Sequence, residues 1–128
     1  MTSRSPFSYA VVRVVPVIER GEFLNAGLIL FCRPQRFLRV RTTLDVERLH
    51  ALHADCDPEA IRDQLRLLER IAEGDVGAGP LARMDQSQRF HWLAAPRSTV
   101  VQPGPIHGGT TEDAAATFDE LYATLVDG

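Results

Sequence analysis

The chain has 128 residues, 45% hydrophobic and 24% charged, which excludes intrinsic disorder and suits one globular domain able to bury a core without disulfide staples. Its net charge of −3 speaks against a surface built mainly for nucleic acid, where clustered positive charge supplies most of the non-specific affinity. All 14 basic residues are arginine, a bias that reflects the coding of a GC-rich bacterium more than function.

The two cysteines, Cys32 and Cys56, fall in a strand-like and a loop-like context and suggest no disulfide framework. The opening MTSRSPFSYA lacks the apolar stretch of a signal peptide. Arg33 and Pro34 close the longest apolar run short of the roughly 18 residues that a membrane span needs. A cytoplasmic location without membrane attachment is expected. Residues 1–128 read as a single domain, with 1–7 a flexible tail.

Tyr9 to Cys32 holds two long apolar runs joined by a short polar connection, the pattern of a buried β-hairpin. In the first strand Tyr9, Val11, Arg13 and Val15 share one face, Ala10, Val12 and Val14 take the other, and Pro16 ends the ladder. The second strand runs from Phe23 to Cys32 and is again apolar on both faces. Arg33-Pro34-Gln35-Arg36 is a turn into a third strand over Phe37 to Arg41.

A helical pattern follows Thr42-Thr43, with Leu44, Leu49 and Leu52 or His53 on one side, and stops at Asp55-Cys56-Asp57. Asp57 is then placed to cap a second helix, with Pro58 at its first position, Ile61, Leu65, Leu68 and Ala72 at helical spacing, and Gly74 as its stop. Its row of Arg62, Arg66 and Arg70 alternates with acids and reads as a solvated face. Gly74 to Pro80 is glycine-rich but follows a helix, so it lacks the strand-to-helix context of a dinucleotide fingerprint and is a loop. Asp85 with Gln88 forms a capping box for a short helix that Pro96 ends. Ser98 to Gln102 is a candidate fourth strand, and a last helix over about 113–126 follows a Thr110 or Thr111 cap, with Phe118, Leu121, Tyr122 and Leu125 on one face.

Arg13 and Asn25 are the most informative polar groups, because both interrupt apolar strands and a buried guanidinium or amide needs a partner. A hairpin closing around Glu19 makes them cross-strand neighbours on one face, where with Glu22 they form either a fold-specifying polar cluster or a ligand site. A second candidate is Arg97-Ser98-Thr99 with the loop around His107, which would offer backbone N–H groups and a titratable imidazole at the start of the last helix.

Other constellations are weaker. Ser98, His107 and Asp113 supply triad residue types without a nucleophile elbow. His50-x-x-His53-x-x-Cys56 resembles metal spacing, but on a continuous helix its third member turns away from its first. Glu19 and Glu22 are acidic enough for a cation, yet acids on a hairpin connection also serve solubility alone. Arg33, Arg36, Arg39 and Arg41 form the one dense basic segment, which reads as edge-strand protection in preference to a nucleic-acid surface. No metal site and no cofactor are expected.

Three groups of residues, Tyr9-x-x-x-Arg13-x-x-Pro16, Arg20-Gly21-Glu22-Phe23-x-Asn25-x-Gly27, and Arg97-Ser98 with His107-Gly108, resemble a bacterial family known as domain of unknown function 3037. The resemblance spans nearly the entire chain, with Glu-Phe-x-Asn-x-Gly its most specific part. It implies a small stand-alone bacterial protein, sometimes encoded beside a HipA-like kinase, in an accessory or partner-binding role. It also picks out Arg13, Glu22, Asn25, Arg97, Ser98 and His107, which would converge if the fourth strand lies beside the hairpin.

The expected fold is α+β, an antiparallel sheet of three to four strands packed against helices on one face, the last helix closing the core. A second apolar face would need its own cover, so a homodimer or a complex with a protein partner is expected, with no nucleic acid. The expected function is a non-enzymatic interaction or regulatory module. The alternative is a small enzyme or ligand binder acting on a phosphorylated or nucleic-acid substrate through the polar cluster at the edge of the sheet.

Overall fold

The structure is a computed structural model and describes residues 3–127. Five antiparallel strands and four helices follow in the order β1 (Ser5–Val14), β2 (Leu24–Cys32), β3 (Phe37–Thr42), α1 (Val46–Leu52), α2 (Pro58–Glu73), α3 (Gln86–Leu93), β4 (Val101–Pro103), β5 (His107–Thr111) and α4 (Ala114–Leu125). The sheet order is β3-β2-β1, and β4 and β5 share the far side of β1. The chain is therefore α+β, as its sequence predicts.

The strands are apolar on both faces because both faces are packed. Val12, Val14, Ile29 and Val40 meet Leu49, Ile61, Leu65, Leu68, Ile71, Phe90 and Leu93 on the side of α1, α2 and α3. Leu28, Leu30 and Cys32 meet Ala114, Phe118, Tyr122 and Val126 of α4 on the other. The last helix thus opens a second core on the opposite face instead of joining the others, and it supplies from within the chain part of the cover that a partner was expected to provide.

Local signals fix the helix ends. Asp57 accepts a hydrogen bond from the Glu59 backbone N–H, Pro58 stands in the first turn, and Gly74 ends α2 in the left-handed conformation at φ 74°. Asp85 and Gln88 close the capping box of α3. Asp113, not either threonine, caps α4, and Thr111 Oγ1 accepts from the Asp113 N–H instead. At the β3 edge, Thr42 donates from both its N–H and its hydroxyl to one carboxylate oxygen of Glu69, at 2.8 Å each.

Three strands depart from the sequence reading. β1 begins at Ser5, inside the span expected as a tail; Met1 and Thr2 lie outside the described residues. β4 is displaced to Val101–Pro103, because Thr99 and Gln102 close a turn in which the Gln102 amide donates to the Thr99 carbonyl. The stretch read as an open loop before the last helix is β5, which pairs with β1 from Ser5↔Thr111 to Tyr9↔His107. Gly108 and Gly109 have little intrinsic strand propensity. Their order comes from β1, whose Phe7 ring lies where a Cβ on Gly109 would sit, 2.9 Å away.

Candidate functional site

The site is built on a β-bulge. Val12 pairs with Gly27 but Arg13 pairs with Asn25, so Ala26 is an extra residue in β2. Leu24 and Ala26 join the first core, which turns Asn25 toward α4. Arg13 points the same way, because its neighbours Val12 and Val14 belong to the first core. The two polar residues therefore share one face, as their spacing predicts.

Asn25 donates from Nδ2 to the Leu125 carbonyl at 3.0 Å, tying the end of α4 to the start of β2. The Arg13 guanidinium stacks over the Phe23 ring, 4.1 Å from its centroid, and lies against Gly104, where a Cβ would come within 3.0 Å of its Cζ and Nε. Its Nε is buried and has no acceptor among the described residues. On its other side Arg13 is paired with Gln102 of β4. Two of these neighbours, Phe23 and Asn25, also wall a cleft of about 420 Å³ that Arg48, Ala51 and Leu52 of α1 and Leu125 and Val126 complete.

His107 stacks on Tyr9 at 5.3 Å between ring centroids. Tyr9 shares the face of Arg13 but lies roughly 13 Å away along β1, so imidazole and guanidinium do not meet. Glu22 is exposed and paired with Arg20, not with Arg13. Arg97 is on the opposite side of the sheet, where it stacks on Trp92 at 4.5 Å and donates to the Trp92 and Leu93 carbonyls at the end of α3. Burial lowers its pKa. Ser98 follows it as an exposed residue. The structure thus brings Arg13 and Asn25 together, places His107 further along their face, and leaves Glu22, Arg97 and Ser98 apart.

The basic segment is tied to the second core. Arg39 lies over Phe37 at 4.7 Å, and Arg41 lies over Phe118 and Tyr122 at 5.0 and 5.1 Å while pairing with Asp119 at 3.2 Å. On α2 the arginine row is paired with acids, Arg66 with Asp63 and Arg70 with Asp75 among them. His50 directs Nε2 to the Cys56 carbonyl, and among the described residues no group of three or more His, Cys, Asp or Glu is placed to hold a metal. No helix among them is long and apolar enough to cross a membrane.

The residues that sequence reasoning passed over as site candidates are Phe7, placed in the expected tail, and Tyr9 and Phe23, read as strand positions. α4 packs over β2 and β3, and β1 keeps Phe7, Tyr9, Val11 and Arg13 only partly buried beside the exposed β5. Phe23 is 44% exposed. An aromatic next to the interrupting Asn25 was the available signal.

Fold and site define a small antiparallel α+β domain with one sheet face half covered and, at the end of that face, Arg13, whose Nε has no acceptor among the described residues. The chain belongs to the family described as Protein of unknown function (DUF3037), whose profile matches residues 9–126. Neither a curated protein nor a solved structure matches it.

Proposed function

We propose that this protein is a non-enzymatic interaction module and that a protein partner docks on the half-covered sheet face, adding a strand along β5. The observation behind this reading is the strip of Phe7, Tyr9 and Val11, partly exposed beside a β5 whose residues 107–110 are exposed and carry no acidic or basic side chain other than His107. Edge strands without charge or proline invite pairing with another chain, and the main chain then supplies affinity while side chains on the adjoining face supply specificity. Arg4 donates to the Thr110 hydroxyl and carbonyl at one end of β5, and at the opposite edge of the sheet Glu69 occupies Thr42 and arginines flank β3. The separation of His107 from Arg13 counts against a shared acid–base site. The kinase implied by the family resemblance is the first partner to try.

The test is capture from the native cells with wild-type protein beside Tyr9→Ser and Thr110→Pro variants of unchanged circular dichroism. A stoichiometric partner held by wild type and lost by both variants is expected. Recovery of the wild-type chain alone, monomeric by light scattering, overturns the reading; a doubled mass identifies a second copy as the partner.

A further inference from the structure

Most of the positive charge of this chain already has a partner. Of its 14 basic residues, all arginine, Arg20, Arg41, Arg48, Arg62, Arg66 and Arg70 pair with acids. Arg4, Arg89 and Arg97 donate to hydroxyl or carbonyl oxygens, and Arg13 and Arg39 lie over aromatic rings. Among the described residues the guanidinium groups of Arg33, Arg36 and Arg83 alone meet no acid, oxygen acceptor or ring. Arg33 and Arg36 line one cleft of about 550 Å³, which Phe31, Asp85, Gln86 and Ser87 complete, a volume within the usual range for small-ligand sites.

These two arginines stand on a backbone that is held from both sides of the sheet. They begin and end the turn between β2 and β3, where the Arg36 N–H donates to the Arg33 carbonyl at 3.0 Å and Arg36 takes the left-handed conformation at φ 50°. From the α3 side Gln86 donates to the Arg36 carbonyl at 2.9 Å. From the α4 side Gln35 donates to the Thr111 and Glu112 carbonyls and accepts from the Ala114 N–H at 2.9 Å. A turn fixed in this way brings two like charges to one cleft, an arrangement that an anion between them relieves. Asp85, the one acid on the wall, accepts from the Gln88 N–H and forms no ion pair with either arginine, so it neutralises neither. The same bond caps the start of α3, so the site rests on the guanidinium pair and not on the helix end.

A phosphate monoester carries close to two negative charges at neutral pH and three acceptor oxygens, which matches two planar guanidinium forks. The Ser87 hydroxyl on the cleft wall is a further donor. A second hollow of about 170 Å³ shares Phe31 and Arg33 with the cleft and adds Pro6, Phe7 and Pro34, which places an apolar bed beside the charged one. We propose that the cleft binds a phosphate monoester bearing a flat apolar group, with the phosphate between Arg33 and Arg36 and the flat group in the adjoining hollow. The phosphate clamp is built on the β2–β3 turn and stands whether or not a partner strand adds along β5. A nucleoside monophosphate and a phosphotyrosine side chain share this chemistry.

The experiment is a titration of the isotopically labelled full chain in phosphate-free buffer, followed by amide NMR shifts, with phenyl phosphate, methyl phosphate, phenyl sulfate, adenosine monophosphate and a blocked tripeptide centred on phosphotyrosine. Saturable shifts at Arg36, Gln86 and Ser87 are expected with phenyl phosphate. Phenyl sulfate, a monoanion of the same shape, should bind about tenfold more weakly, and methyl phosphate, which lacks the ring, should also be weaker. Arg33→Gln and Arg36→Asn, the latter a residue that tolerates the left-handed backbone, should each weaken phenyl phosphate by about tenfold or more. Arg83→Gln, which removes an exposed arginine outside the cleft, should leave the affinity unchanged. Tighter binding of the nucleotide than of the peptide assigns the site to nucleotides, and the reverse assigns it to phosphotyrosine. Absence of saturable shifts with every phosphate, phenyl sulfate or methyl phosphate binding as tightly as phenyl phosphate, full affinity in either folded cleft variant, or an equal loss in Arg83→Gln overturns the proposal.

Discussion

Asn25 hangs from the Leu125 carbonyl at 3.0 Å, so the last turn of α4 is fastened to the strand residue that the Ala26 bulge turned toward it. The bond joins residues a hundred positions apart and makes the end of α4 part of the site. Asn25→Ala should cost about 1 kcal/mol, the net worth of one such hydrogen bond. A lower urea midpoint at unchanged slope, with faster amide exchange at Val126 and Asp127, is the expected result.

Arg13→Met should leave stability within about 0.5 kcal/mol of wild type or raise it, because the apolar stem and its packing on Phe23 remain while an unpartnered buried polar group is removed. Denaturant unfolding checks this. A loss above about 2 kcal/mol would make Arg13 a structural residue whose removal breaks packing that the fold needs.

Gly27 and Gly21 should respond to alanine for different reasons. A Cβ at Gly27 would lie 2.7 Å from the Arg41 carbonyl oxygen and 2.9 Å from Thr42 Cγ2, so Gly27→Ala must push β3 away, at about 1–3 kcal/mol. Gly21 has open space around it but a φ of 70°, and Gly21→Ala should cost about 1 kcal/mol through the backbone alone. Thermal unfolding of both variants distinguishes the two.

Glu69 receives both Thr42 donors at the β3 edge. Glu69→Ala should cost about 1.5–3 kcal/mol, as for hydrogen bonds to a charged group. The Thr42 amide, freed from its acceptor, should lose exchange protection ahead of its neighbours in β3.

The Asp75 carboxyl is held below its ordinary pKa, first by the Arg70 side chain and then by the Gly77 N–H. A lowered folded-state pKa contributes stability that is present above the ordinary aspartate range and is lost as pH falls through the lowered value. The pair is exposed, so the effect is small. Asp75→Asn should remove this small contribution at neutral pH and leave the acid end nearly unchanged, so that the acid limb of the stability curve flattens slightly, which denaturation at a series of pH values reads directly.

Much of the fold was legible because it rests on local chemistry. Asp57, Pro58 and Gly74 define α2 within a single stretch of chain, and Asp85 with Gln88 does the same for α3. The alternation through β1 correctly assigned its two faces, and hairpin closure correctly paired Arg13 with Asn25. β5 was not legible: Gly108 and Gly109 have no strand preference of their own, and pairing with β1 orders them.

By itself the sequence determined the caps of α2 and α3, the two apolar hairpin faces and the polar pair that interrupts them, since caps and periodicity act over a few residues. Only the tertiary structure decided which partner each charged group receives. Arg97 looked as available as Arg13, yet it folds back on the end of α3, while Arg13, on the opposite face, meets Phe23 and its Nε has no acceptor among the described residues. The physical reason is that a side chain's solvation and pairing depend on which distant elements enclose it. Here the bulge at Ala26 and the placement of α4 over β2 and β3 set that enclosure.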